Sequence, residues 1–118
     1  MTMRPKYVYK ISPGDAWDAA LRAGTYLGSP DDLRDGFIHF STAGQVPATA
    51  AKFFSRRDDL MIAAIDVAAL GDALKWEASR GGALFPHLHS PLTMTAVVWT
   101  RPLPLCLDGS HDFPAEMI

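Results

Sequence analysis

The sequence predicts an α+β protein with a small mixed or antiparallel split β-sheet and two main helices in its N-terminal half. Three observations carry this reading. Segments of helical periodicity cluster before residue 55, whereas most of the remaining segments have strand character. Residues 60–65 form an unbroken apolar run of strand length, the pattern of a strand buried on both faces. The chain also lacks Gly-x-Gly-x-x-Gly, Walker-type and Gly-x-Ser-x-Gly motifs, so doubly wound nucleotide-binding and α/β-hydrolase architectures find no support.

The elements follow in order. Residues 6–11, rich in aromatic and β-branched types, read as a first strand, with Tyr7, Tyr9 and Ile11 on one face and Val8 and Lys10 on the other. Ser12-Pro13-Gly14-Asp15 has helix-start chemistry: Ser12 as cap, Pro13 at the first helical position and Asp15 at the positive dipole end. Ala16, Trp17, Ala20, Leu21 and Ala23 then recur at helical spacing up to Gly24. Gly28-Ser29-Pro30-Asp31-Asp32 repeats the start signal and predicts a short helical turn in a loop. Residues 37–40 read as a second strand. Thr42-x-x-Gln45 is a capping-box pattern opening a helix whose stripe is Val46, Ala50, Phe53 and Phe54. Residues 66–71 predict a turn or a single helical turn, residues 74–77 a strand and residues 78–83 a loop. Residues 85–92 hold Pro86 and Pro91, which points to an edge or a loop, and residues 94–99 read as a last strand before an extended tail.

A chain of 118 residues fits one domain, here 1–118 with a core over about 6–105, and is long enough to bury a core without staples. Eleven basic against thirteen acidic residues give a formal charge of −2, which argues against broad nucleic-acid binding. Cys106 is the lone cysteine, so no internal disulfide or thiolate cluster can form. It has no adjacent cation or histidine to make it a nucleophile. No signal-type segment and no membrane-span-length apolar run occurs, so a cytoplasmic protein without a membrane partner is expected. Oligomeric state is not legible.

The most site-like stretch is the strand-to-helix junction holding His39, Ser41 and Thr42. An imidazole that titrates near neutrality, two hydroxyls and the free amides of a helix start would together suit an anionic or phosphorylated ligand. The plainer alternative makes Ser41 or Thr42 a cap and His39 a hydrogen-bonded filler. His87 and His89 share one side of an extended segment. That supplies two metal ligands where zinc needs three or four, so His87 is read as a ligand contact and no metal is expected. Lys10 interrupts an apolar strand, either to grip a phosphate or as a solvated edge residue. Glu77, opposite Trp76 in strand alternation, is either a general base or a surface charge.

Asp35-Gly36-Phe37-Ile38-His39-Phe40-Ser41-Thr42 and Phe85-Pro86-His87-Leu88 resemble the two signature stretches of a bacterial and plant family of unknown function, number 952. Trp76-Glu77 and Tyr9-Lys10-Ile11 fit as well. The family often has Tyr-Gly where this chain has His89-Ser90, and some members have His at the place of Lys10. The resemblance implies the ADP-ribosyltransferase-like fold of ADP-ribosylating toxins, poly-ADP-ribose polymerases and RNA 2′-phosphotransferases. In that fold a His, Ser or Tyr at this junction faces NAD, so NAD becomes a candidate cofactor. Lys10 would take the first-strand place where transferases use His or Arg, although lysine lacks arginine's paired planar donors. Glu77 matches the transferases' late catalytic glutamate by residue type only.

The expected function is therefore a pocket for a nucleotide or another phosphorylated small molecule, lined by Lys10, His39, Ser41, Thr42 and His87. If catalytic, His39 would orient a ribose or act as acid/base, and Glu77 would stabilise an oxocarbenium-like centre. The rival class is a non-catalytic interaction module braced by structural histidines. A third is a metal-dependent hydrolase using His39, His87 and His89.

Overall fold

The computed structural model describes residues 5–117. Its first sheet has the order β1-β4-β8, all antiparallel, with β1 at Tyr7–Pro13, β4 at Leu60–Asp66 and β8 at Val97–Pro102. β4 is central, as its unbroken apolar run predicts, because both of its faces are covered. Leu60, Ile62 and Ala64 pack with Tyr9, Ile11, Val46 and Leu103. Met61, Ala63 and Ile65 pack with Val8, Trp17, Leu88 and Leu92.

The second sheet has the order β3-β6-β5, again antiparallel, with β3 at Ile38–His39, β5 at Leu74–Ala78 and β6 at Leu84–Leu88. A short pair, β2 at Thr25–Tyr26 and β7 at Leu92–Thr93, completes the strands. The two larger sheets are tied where Tyr9 and Ser41 exchange backbone bonds of 2.8 and 3.0 Å. That tie brings the first strand against the end of β3. It is the split arrangement the sequence predicts, with every ladder antiparallel.

Helix α1 (Gly14–Ala23) ends at Gly24, whose φ of 81° closes the helix with bonds to Ala20 and Leu21 carbonyls. Its start differs from expectation. Ser12 and Pro13 belong to β1, Ser12 donates to the Pro13 carbonyl, and α1 has no side-chain cap, because pairing with Met61 and Leu60 holds these residues extended. α2 (Pro30–Asp35) is more regular than a loop turn. It has a complete capping box between Ser29 and Asp32 and ends at Gly36. α3 (Val46–Phe53) starts four residues after Thr42. The Thr42 box closes from one side only, the Gln45 side-chain carbonyl accepting from the Thr42 N–H at 3.0 Å. α4 (Val67–Leu70) is the single turn expected there, capped by Asp66.

Two strand expectations are corrected. Residues 85–88 lie in the central strand of the second sheet, despite Pro86. A residue's N–H and C=O point to the same side of a strand, and the Pro86 carbonyl accepts from Phe40 N–H at 2.9 Å. The donor that proline lacks therefore faces Phe40, at the end of β3, so the gap falls at the last position of that ladder. The ladder to β5 is untouched. The last strand begins at Val97, because Met94–Ala96 form a 3₁₀ turn that inserts Ala96 into the core. No helix of the described residues is long and apolar enough to cross a membrane.

Candidate functional site

The second sheet has two unlike faces. Ile38, Phe40, Leu74, Trp76 and Leu88 turn toward the core. The alternate residues Phe37, His39, Phe85, His87, His89, Lys75 and Glu77 share the other face, with His39 opposite His87 and His87 opposite Lys75. The His-x-His spacing thus places His87 and His89 together, and adds His39 and Glu77 from neighbouring strands. Phe37 is the centre of this face. It stacks on His87 at 4.2 Å between centroids and lies 4.7 Å from His39 and 5.1 Å from His89.

Beside this face, where β1 meets β3, lies a cleft of about 270 Å³. Lys10, His39, Ser41 and His87 all line it. Tyr9, Phe53, Phe54 and Phe85 supply aromatic surface, and Asp31, Asp32, Arg34 and Asp35 supply charge. Thr42 and Glu77 lie outside the lining. The Thr42 backbone is engaged by Gln45, and Glu77 reaches the cleft only through His87.

Asp32 organises the floor. It is 2% exposed, and four groups approach its two oxygens. Oδ2 accepts from Lys10 Nζ at 2.8 Å and from Ser29 N–H at 2.9 Å. Oδ1 accepts from His39 N–H at 3.1 Å and contacts His39 Nδ1 at 2.6 Å. Burial pushes this carboxyl up, but the Lys10 ammonium and the converging hydrogen bonds outweigh it and hold Asp32 below the usual carboxylate range. Lys10 also donates to the His39 carbonyl at 2.9 Å. The lysine is therefore neither a solvated edge residue nor an open cation, but half of a buried ion pair at the cleft floor.

His39 Nε2 lies 3.0 Å from Asp35 Oδ2, so carboxylates flank both ring nitrogens. Arg34 bonds Asp35 and reaches Asp31 across the surface. Ser41 Oγ pairs with Thr49 Oγ1 at 3.1 Å. Among the described residues no group of three or more His, Cys, Asp or Glu side chains is gathered as a metal ion requires. The imidazoles converge on Phe37 and on carboxylates instead.

Asp32, Asp35 and Phe37 were not singled out as site residues by sequence reasoning. The Ser29-x-x-Asp32 capping pattern was the available signal for Asp32, but a cap is normally exposed and gives no hint of burial. Gly28 protects this geometry. Its φ is +125°, and a Cβ there would stand 2.7 Å from the Asp32 Cβ. Gly28→Ala is expected to lower stability by about 1–3 kcal/mol, the range for a strained backbone. Urea denaturation measures it, and an unchanged midpoint would contradict the crowding.

The family model described as Protein of unknown function (DUF952) matches residues 11–100. The chain belongs to that family. The crystal structure of protein CC0527 from Caulobacter crescentus, a structural-genomics target, is 44% identical, with a TM-score of 0.89 over 94% of this chain and 97% of that one. The solution NMR structure of CC0527 is 46% identical, with a TM-score of 0.82 over 90% and 91% of the two chains. No curated protein matches the chain. The DUF952 membership and the likeness to CC0527 thus support the α+β arrangement of antiparallel sheets on which the cleft is built.

Proposed function

We propose that this DUF952 chain binds a nucleotide-type small molecule in the cleft between β1, α2 and β3, with NAD the first candidate. The observation that carries the reading is the meeting of a buried Lys10–Asp32–His39 network with phenylalanine walls in one cavity. Charged groups are seldom buried without partners, and such networks beside a cleft favour a site over plain packing. Phe53, Phe54 and Phe85 suit a flat ring, and Asp31 and Asp35 suit ribose hydroxyls or a cationic ring. Arg34, 67% exposed and held only by solvent-screened surface pairs, can turn to a phosphate. At about 270 Å³ the cleft holds one nucleoside-sized portion. That is just below the roughly 300–1,000 Å³ typical of ligand pockets, so the rest of a dinucleotide would lie along the surface.

The ADP-ribosyltransferase-like grouping belongs to the same proposal. If the protein acts on its ligand, the reaction is an ADP-ribosyl- or NAD-related transfer, with His39 orienting the ribose. A phosphorylated ligand other than NAD would use the same groups. Titration of labelled protein with NAD, ADP-ribose, adenosine and nicotinamide, followed by amide NMR, tests the reading. Saturable shifts at His39, Ser41 and Phe85 are the expected result, and silence at millimolar ligand would refute it. One observation favours a second reading: carboxylates flank both His39 nitrogens, as in a non-catalytic interaction module braced by its histidines.

A further inference from the structure

His87 is 4% exposed, and its ring is held on two sides. Nδ1 lies 2.9 Å from Glu77 Oε1, and Phe37 stacks on the ring at 4.2 Å and 22°. A carboxylate only accepts, so Nδ1 carries the hydrogen and Nε2 of the neutral ring presents its lone pair.

Where Nε2 faces follows by elimination. Among the described residues Nε2 has no hydrogen-bond partner in the protein, while Trp17 Nε1 is the one side-chain nitrogen or oxygen both fully buried and unpartnered. Nε2 therefore touches open space, and the space that His87 lines is the cleft. A carboxylate, an imidazole and a free nitrogen aimed at a cavity are the parts of a general-base dyad. His39, the more conspicuous histidine, has no such free nitrogen.

We infer that His87, rather than His39, is the proton acceptor of the cleft, that Glu77 is its positioning residue, and that the group it serves is a ribose-type hydroxyl of the bound molecule. In that step the ligand O–H bond breaks, its proton bonds to Nε2, and the oxygen keeps the electron pair. Glu77 faces the resulting imidazolium across Nδ1. The inference rests on the cleft being a ligand site.

The surroundings suit an acceptor. Glu77 and Lys75 face His87 from β5, His89 follows on its own chain and bonds the same Glu77 oxygen at 2.8 Å, and His39 stands 5.2 Å away on β3 with Asp32 and Asp35 behind it. Burial pulls His87 below the usual histidine range, with His39 and His89 adding to that and Glu77 opposing it. The ring is thus neutral and able to take a proton at neutral pH.

Diethyl pyrocarbonate tests this on the intact protein. A neutral Nε2 attacks the reagent's carbonyl carbon, the N–C bond forms and ethyl carbonate leaves. Peptide mass spectrometry should find His87 modified in the folded protein, reaching half its maximal rate below the pH of about 6.5 expected for free imidazole. Glu77→Gln should slow that modification by roughly tenfold, on the scale of a hydrogen bond to a charged group, with the fold intact by circular dichroism. Modification of His87 only after unfolding, or at equal rate in Glu77→Gln, would overturn the assignment. The adenosine titration separates the two readings. Adenosine shifts with an inert His87 sink the acceptor role alone, whereas a reactive, Glu77-dependent His87 without adenosine shifts sinks the binding reading.

Discussion

Replacing Asp32 with alanine is expected to destabilise the protein by about 3–5 kcal/mol, the cost of leaving a buried charge without its partner. The substitution leaves Lys10, itself 7% exposed, uncompensated, and removes the acceptor for the Ser29 and His39 amides. Against a total stability of about 5–15 kcal/mol for a domain, that is a loss easily read from urea denaturation. Asp32→Asn keeps some hydrogen bonding and should cost less. Adding Lys10→Met to Asp32→Asn removes both charges and should recover part of the loss, since the two sites are coupled. If Lys10→Met and Asp32→Asn simply add, the buried pair is not the unit described above.

The same group sets the acid response. A carboxyl whose folded pKa lies below its unfolded value contributes stability that is present above about pH 4 and lost as the pH falls through the folded pKa. Asp32 and Glu77 both shift in that direction, Glu77 because His89 and then His87 bond its charged form. His87 acts earlier. Its lowered pKa means the unfolded chain takes up a proton first, so stability begins to fall below about pH 6.5. The wild-type profile should therefore decline in two stages on acidification, and Asp32→Asn should flatten the lower one.

Leu88→Ala should have the second large effect, about 2–5 kcal/mol for removing a buried leucine side chain. Leu88 is 1% exposed in the cluster holding Val8, Trp17, Ile38 and Leu74. It follows His87 in β6 but points to the opposite face. Its truncation opens a cavity behind the second sheet and leaves the cleft-facing chemistry in place. The expected outcome is a lowered urea midpoint with adenosine shifts at Ser41 and Phe85 retained. Loss of those shifts in a still-folded variant would show that core packing and cleft geometry are not separable here.

The contrast between Leu88 and His87 marks what was legible in advance. Alternation is a local property, so the sequence alone puts His87 and His89 on one side of an extended segment and Glu77 opposite Trp76, whereas the register between β5 and β6 puts the two histidines and Glu77 on one face. The apolar run at residues 60–65 likewise gives a strand covered on both sides. Caps obey local rules as well, and Gly24 ends α1 where the periodicity stops.

Other features depended on pairing between distant segments. Ser12 carries helix-start chemistry, but Met61 and Leu60 hold it and Pro13 in β1. Pro86 argues against a central strand in isolation, yet its missing donor faces only Phe40 at the end of β3, and the pairing with β5 is kept. The meeting of Lys10 with Asp32 depends on Tyr9 bonding Ser41 across 32 residues of chain. Sequence by itself determined the α+β class, the faces of the strands and the histidine-rich junction, because these follow from near-neighbour sterics and periodicity. Tertiary structure alone decided that Asp32 is buried, that Lys10 is paired, and that His87 opens on the cleft with Glu77 behind it. Those outcomes depend on which strands lie side by side, and strand order is a property of the whole folded chain.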